Sequence, residues 1–204
     1  MASPIGHSFA GFWTFLVLLE QCRISFVERW RRYLPQLLVL VALANLPDVD
    51  FFFGLGSHAN ALHRGFTHSL LMAVLVSLAL AAFWRITGGF WRSAFLYFAA
   101  YGSHLLIDFC TGSKIGWTHT GSGIPVFWPW PQNFSSPLIL VLGVQHRNLR
   151  ALFSLDNLWS SSYELLTFGA ITAIVILWKR KQKPQTKHPG PGAAARPLLE
   201  LQHH

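Results

Sequence analysis

Residues 90–109 read FWRSAFLYFAAYGSHLLIDF, twenty mostly apolar positions with a histidine and an aspartate four apart in the last two turns. At 1.5 Å per residue a helix of this length spans about 30 Å, the hydrocarbon thickness of a bilayer. A carboxylate at that depth costs about 2.5–3.5 kcal/mol even on the mildest insertion scale. Asp108 therefore needs a compensating partner, and His104, on the same helix face, is the first candidate. This stretch predicts a membrane helix that carries chemistry at one end.

The surrounding chain has the same character. Of 204 residues 52% are hydrophobic and only 12% charged, about half the charge of a soluble domain, and the mean hydropathy is +0.37. The composition argues against disorder, a coiled coil or an ordinary soluble enzyme. The net charge is +8, but the basic residues sit between apolar runs rather than in a stripe, so a nucleic-acid partner is not expected. Apolar runs at roughly 5–19, 34–53, 68–86, 90–109 and 164–178 predict an all-α polytopic membrane protein of about five transmembrane helices. A shorter run at 137–144 suggests an interfacial or re-entrant piece. Residues 1–178 form the expected membrane domain, and 179–204, rich in Pro, Gly, Gln and Lys, a disordered basic tail. Twelve of the sixteen Lys and Arg residues fall on the side of the Arg29–Arg32 loop and the tail. That side is then cytoplasmic, leaving the N-terminus outside. Cys22 and Cys110 fall near opposite faces and should not pair.

This topology gathers polar residues that lie far apart in the chain. His7 opens the first helix, Asp48 and Asp50 end the second, His63 and His68 precede or open the third, and His104 and Asp108 end the fourth. All seven converge at the outer face, although charge counting takes no account of histidine. Pro47 disrupts the second helix just ahead of its aspartates and turns them inward. Imidazoles and carboxylates without nearby thiols suit a divalent metal: zinc first, with manganese and iron as alternatives. Seven candidates exceed the three protein ligands of a mononuclear catalytic zinc. Either one ion with supporting partners or two ions are expected. Each residue also has a plainer reading, as a hydrogen-bonded core histidine or a helix-end aspartate, and the coincidence of depth is what outweighs it. His119 and His146 lack a spacing partner and are assigned no role, and His188, His203 and His204 fall in the tail. The aromatic stretch from 111 to 163, with Trp117, Phe127, Trp128, Trp130, Phe134 and Trp159, reads as an interfacial belt or as a lid over an acyl or isoprenoid chain.

Three blocks, Leu46-Pro47-Asp48-Val49-Asp50, His63-Arg64-Gly65-Phe66-Thr67-His68-Ser69 and Ser103-His104-Leu105-Leu106-Ile107-Asp108, occur in an order that resembles the YdjM-like family of bacterial inner-membrane proteins described as metal-dependent hydrolases. A later Pro125-Val126-Phe127-Trp128-Pro129 stretch is similar too. Where that family often carries Thr-His near its N-terminus, this chain has Gly6-His7. The resemblance implies a multi-pass membrane hydrolase in the bacterial inner membrane, and some members are described as binding a transcriptional repressor. Such a protein contact here would use the cytoplasmic loops or tail.

The expected reaction is hydrolysis of an ester or phosphoester in a membrane lipid or lipid-linked substrate. Asp48, His68, His104 and Asp108 form the metal core, and His7, Asp50 and His63 are further ligands or bases. Arg64 is assigned to a phosphate or developing oxyanion, and Thr67 and Ser69 to hydrogen bonds with ligands or substrate. The competing readings are a haem-binding electron-transfer protein, a metal-ion or proton carrier, and an interaction protein whose polar cluster is structural.

Overall fold

The structure is a computed structural model, and it describes residues 2–21, 33–50, 65–144 and 154–182. Among the described residues five α-helices carry the fold: α1 (Pro4–Gln21), α2 (Leu34–Asn45), α3 (Leu70–Phe83), α4 (Phe90–Phe109) and α5 (Leu155–Gln182). The chain falls into two compact units, Met1–Thr172 and Ala173–His204, so the second begins within α5. His63, Arg64, His146, Cys22 and the 183–204 part of the expected tail lie outside the described residues.

Punctuation in the sequence sets the helix ends. Pro35 stands in the first turn of α2, where its missing N–H costs nothing. At the other end Pro47 closes the α-helix at Asn45 and tightens the chain into a 3-10 turn, Leu46–Val49. A second 3-10 turn, Phe66–His68, precedes α3. The Ser69 hydroxyl then caps α3 by accepting from the Met72 amide. Helix three therefore starts at Leu70 rather than at His68, because the serine takes the cap and leaves the histidine in the turn before it. Thr87, hydrogen-bonded to Gly89 O and to Ser93, shapes the turn into α4.

Close helix contacts come from small residues. Ala73, Ser77 and Ala81, four apart on α3, are all buried and line the face that meets α4. Gly11 of α1 lies so close to α2 that a Cβ there would sit 2.7 Å from Leu40 O and from Val41 Cα. Phe15, Leu18, Leu40, Leu96, Tyr97 and Tyr101 fill the core. The outside of the bundle is apolar: Leu38, Phe83, Trp91, Phe95 and Leu106 are all more than half exposed. Buried polar side chains under an apolar exterior invert the arrangement of a soluble protein and suit hydrocarbon surroundings.

Two expectations are corrected. Among the described residues one helix, Leu155–Trp178, is long and apolar enough to cross a membrane; Pro4–Leu18, Leu34–Val49 and Leu70–Phe83 are apolar but shorter. Five full spans therefore do not emerge, because Pro47 and the Ser69 cap divert chain at the helix ends into the turns that carry polar side chains. Nor is the fold purely helical. Four two-residue strands follow α4: β1 (Thr111–Gly112), β2 (Gly116–Trp117), β3 (Leu138–Ile139) and β4 (Val141–Leu142). β1 pairs in parallel with β4, Thr111 opposite Val141, and β2 pairs antiparallel with β3, Gly116 opposite Ile139. The 137–144 run, expected as an interfacial or re-entrant piece, supplies β3 and β4. The Leu70 amide donates to Val126 O, which fastens this loop to the start of α3.

Candidate metal centre

Asp48 from the 3-10 turn after α2, His68 from the turn before α3, and His104 and Asp108 from the last turns of α4 each offer one ligand atom within 4.8 Å of all the others. His68, His104 and Asp108 are exposed by 1% or less, whereas Asp48 is partly exposed, its side chain at 21%. His68 Nε2 lies 3.5 Å from Asp48 Oδ1 and 3.7 Å from Asp108 Oδ2, and His104 Nε2 lies 3.6 Å from each of the same two oxygens. The two Nε2 atoms are 3.3 Å apart.

The hydrogen bonds behind the rings decide what those nitrogens present. His104 Nδ1 lies 2.8 Å from the Ala44 carbonyl, which can only accept, so the proton is on Nδ1 and Nε2 is bare. Thr67 Oγ1 donates to Asp50 Oδ2 at 2.6 Å and lies 3.1 Å from His68 Nδ1. Its own proton being committed, it can accept from Nδ1, which in the neutral ring turns the His68 Nε2 lone pair toward the group. The Tyr101 hydroxyl in turn holds the Thr67 carbonyl at 2.6 Å. With both rings neutral, two lone pairs would meet across 3.3 Å between two carboxylates, a contact that a proton or a metal cation between them relieves. Neither Asp48 Oδ1 nor Asp108 Oδ2 has a hydrogen-bond partner. Buried anionic oxygens and bare imidazole nitrogens sharing one volume repel one another unless a cation lies among them. The donor set of two nitrogens and two oxygens, with both rings oriented from behind, fits a divalent metal.

The other expected residues take different places. Asp50 does not join the four; its Oδ2 sits 3.4 Å from His68 Nδ1, on the ring edge away from Nε2, where it orients rather than ligates. His7 is fully buried beside the group. Its ring stacks on His104 with centroids 3.7 Å apart and planes 20° from parallel, and its Nε2 lies 3.6 Å from Asp108 Oδ1 and 3.8 Å from Asp48 Oδ2. His119 is exposed and carries no role. The Ser69 hydroxyl is spent on Phe66 O and on its helix cap.

One residue was missed by sequence reasoning. Glu164 of α5 is fully buried and accepts from the Ser3 amide, the Ser3 hydroxyl and the Gly6 amide. It thereby caps the first turn of α1, next to His7, while the Ala2 amide donates to Asp108 Oδ1 at 3.0 Å. A Cβ on Gly6 would come within 2.6 Å of Glu164 Oε2. The available signal was a fourth acidic residue inside an apolar helix.

A groove of about 550 Å³ adjoins the centre, with Asp50 and Thr67 at its polar end and Leu46, Met72, Val76 and Trp128 among its apolar walls.

No solved structure matches the chain. The inner membrane protein YbcI of Escherichia coli (strain K12) is 37% identical over 105 residues, which cover 47% of this chain and 60% of that protein. The family model described as YdjM inner membrane protein matches residues 1–185. The chain belongs to the YdjM inner membrane protein family.

Proposed function

We propose that the protein is a metal-dependent hydrolase of the bacterial inner membrane that cleaves an ester or phosphoester bond in a lipid or lipid-linked substrate. The observation that carries this reading is the convergence of His68 Nε2 and His104 Nε2, 3.3 Å apart, with Asp48 and Asp108 oxygens that have no hydrogen-bond partner. Asp48, His68, His104 and Asp108 hold the ion, zinc by preference, with manganese or iron as alternatives. When bound, the ion supplies Lewis acidity that makes water a nucleophile at neutral pH. The chain's own residues do the rest. Ala44 O and the Thr67–Asp50 pair lock the two imidazoles in the ligating tautomer, which avoids reorganisation during reaction. The apolar walls of the adjoining groove keep water away and suit a hydrocarbon chain. Arg64 and His63, one and two residues ahead of Gly65, are assigned to the substrate's anionic group and to proton transfer.

Two competing readings fit less well. A bis-histidine haem needs its axial nitrogens on opposite faces of a macrocycle, and a 3.3 Å gap shared with two carboxylates leaves it no room. A carrier needs polar groups leading away from the site. The hydroxyls of Thr14 and Ser77 are instead spent on their own helices, at Ala10 O and Ala73 O.

Elemental analysis of detergent-purified protein tests the proposal. Stoichiometric metal in the native chain, lost in both His68→Ala and Asp108→Ala, together with metal-dependent hydrolysis of long-chain p-nitrophenyl esters or phosphoesters, supports it. Protein that binds no metal refutes it.

A further inference from the structure

The carboxylates of the centre have two oxygens each, and the pairs face different ways. Asp48 Oδ1 and Asp108 Oδ2 face the Nε2 atoms of His68 and His104. Asp48 Oδ2 and Asp108 Oδ1 face His7 Nε2, at 3.8 and 3.6 Å. His7 is 0% exposed, and neither of its ring nitrogens has a hydrogen-bond partner. A buried polar group left idle is destabilising, so a ring held here without work for Nε2 would be a net loss. We propose that the pocket holds two dications, the second at a subsite formed by His7 Nε2, Asp48 Oδ2 and Asp108 Oδ1, with both carboxylates bridging. The inference rests on the metal centre of the preceding section and deepens it.

Two further observations fit. The His7 and His104 rings stack with centroids 3.7 Å apart, so the two imidazoles belong to one pocket. Asp108 Oδ1 accepts from the Ala2 amide and keeps a second lone pair for a cation. Two dications outweigh the two bridging carboxylates, so the loaded pocket favours an anionic reacting group. That selects a phosphoester over a carboxylic ester.

The test is manganese loading of the full chain in detergent, read by elemental analysis and by electron paramagnetic resonance. The native protein should take up two ions per chain and give an exchange-coupled spectrum. His7→Gln should take up one and give an uncoupled spectrum, while His68→Ala should disturb the four-donor position. Native protein that saturates at one uncoupled ion overturns the second subsite and leaves the hydrolase reading standing. A His7→Gln chain that keeps both ions, or loses both, overturns it too. Native stoichiometry decides the matter even if a variant fails to fold.

Discussion

The imidazole of His68 shows how little of a metal centre lies in its ligands. Its Nδ1 is held by Thr67 Oγ1, which is held by Asp50 and, through the backbone, by Tyr101. Replacing Thr67 with valine keeps the shape and removes the acceptor behind the ring, so metal affinity should fall about 10- to 100-fold, as isothermal titration with zinc would show. A drop of less than threefold would mean that Asp50 alone suffices. Arg64 belongs to a different function. As a phosphate or oxyanion ligand it should leave bound metal nearly intact when changed to alanine while turnover falls. Equal loss of metal and activity would mark it as structural. At this scale sequence reading went far: His7, Asp48, His68, His104 and Asp108 were all expected at one depth, and all meet there. Asp50 was expected as a further ligand or base; it lies outside the group of four, 3.4 Å from His68 Nδ1, a placement that residue spacing does not contain.

Among the elements, the bounds of α4 were legible to the residue, because a mostly apolar run lies between a Gly-Gly turn and Cys110, although the membrane span expected there is not among the helices long and apolar enough to cross. The break in α2 at Pro47 was equally plain. The strands were not. Pairs two residues long carry no periodicity, and β1 meets β4 about thirty positions away. Nor was the role of Glu164, whose partners Ser3 and Gly6 lie 161 and 158 residues distant. Three buried donors depend on that one carboxylate. Glu164→Ala strands them, at about 1–3 kcal/mol for each unsatisfied group, and should lower the melting temperature in detergent clearly, with Glu164→Gln falling between it and the native chain. Equal melting of all three proteins would show that the cap is dispensable.

For the whole molecule, an apolar exterior around a buried polar centre is the arrangement that an inner-membrane protein requires. The excess of Lys and Arg on one side predicts that the chain after α5 is cytoplasmic and that the centre faces the periplasm. Green fluorescent protein fused after Gln182 should fluoresce, and alkaline phosphatase at the same point should be inactive. The reverse pattern would put the centre on the cytoplasmic side.

The closeness of Gly6 to Glu164 has a consequence for how such sequences diverge. A side chain at position 6 would press on Glu164 Oε2 at 2.6 Å and on the Phe168 ring at 2.9 Å, so it fits only if those side chains give way, which couples position 6 to position 164. Gly6→Thr alone should impair assembly of this chain, and pairing it with Glu164→Ser should restore much of the lost yield. In relatives that bear threonine ahead of the first histidine, the counterpart of Glu164 should be a shorter residue, a correlation that any large collection of their sequences can disprove.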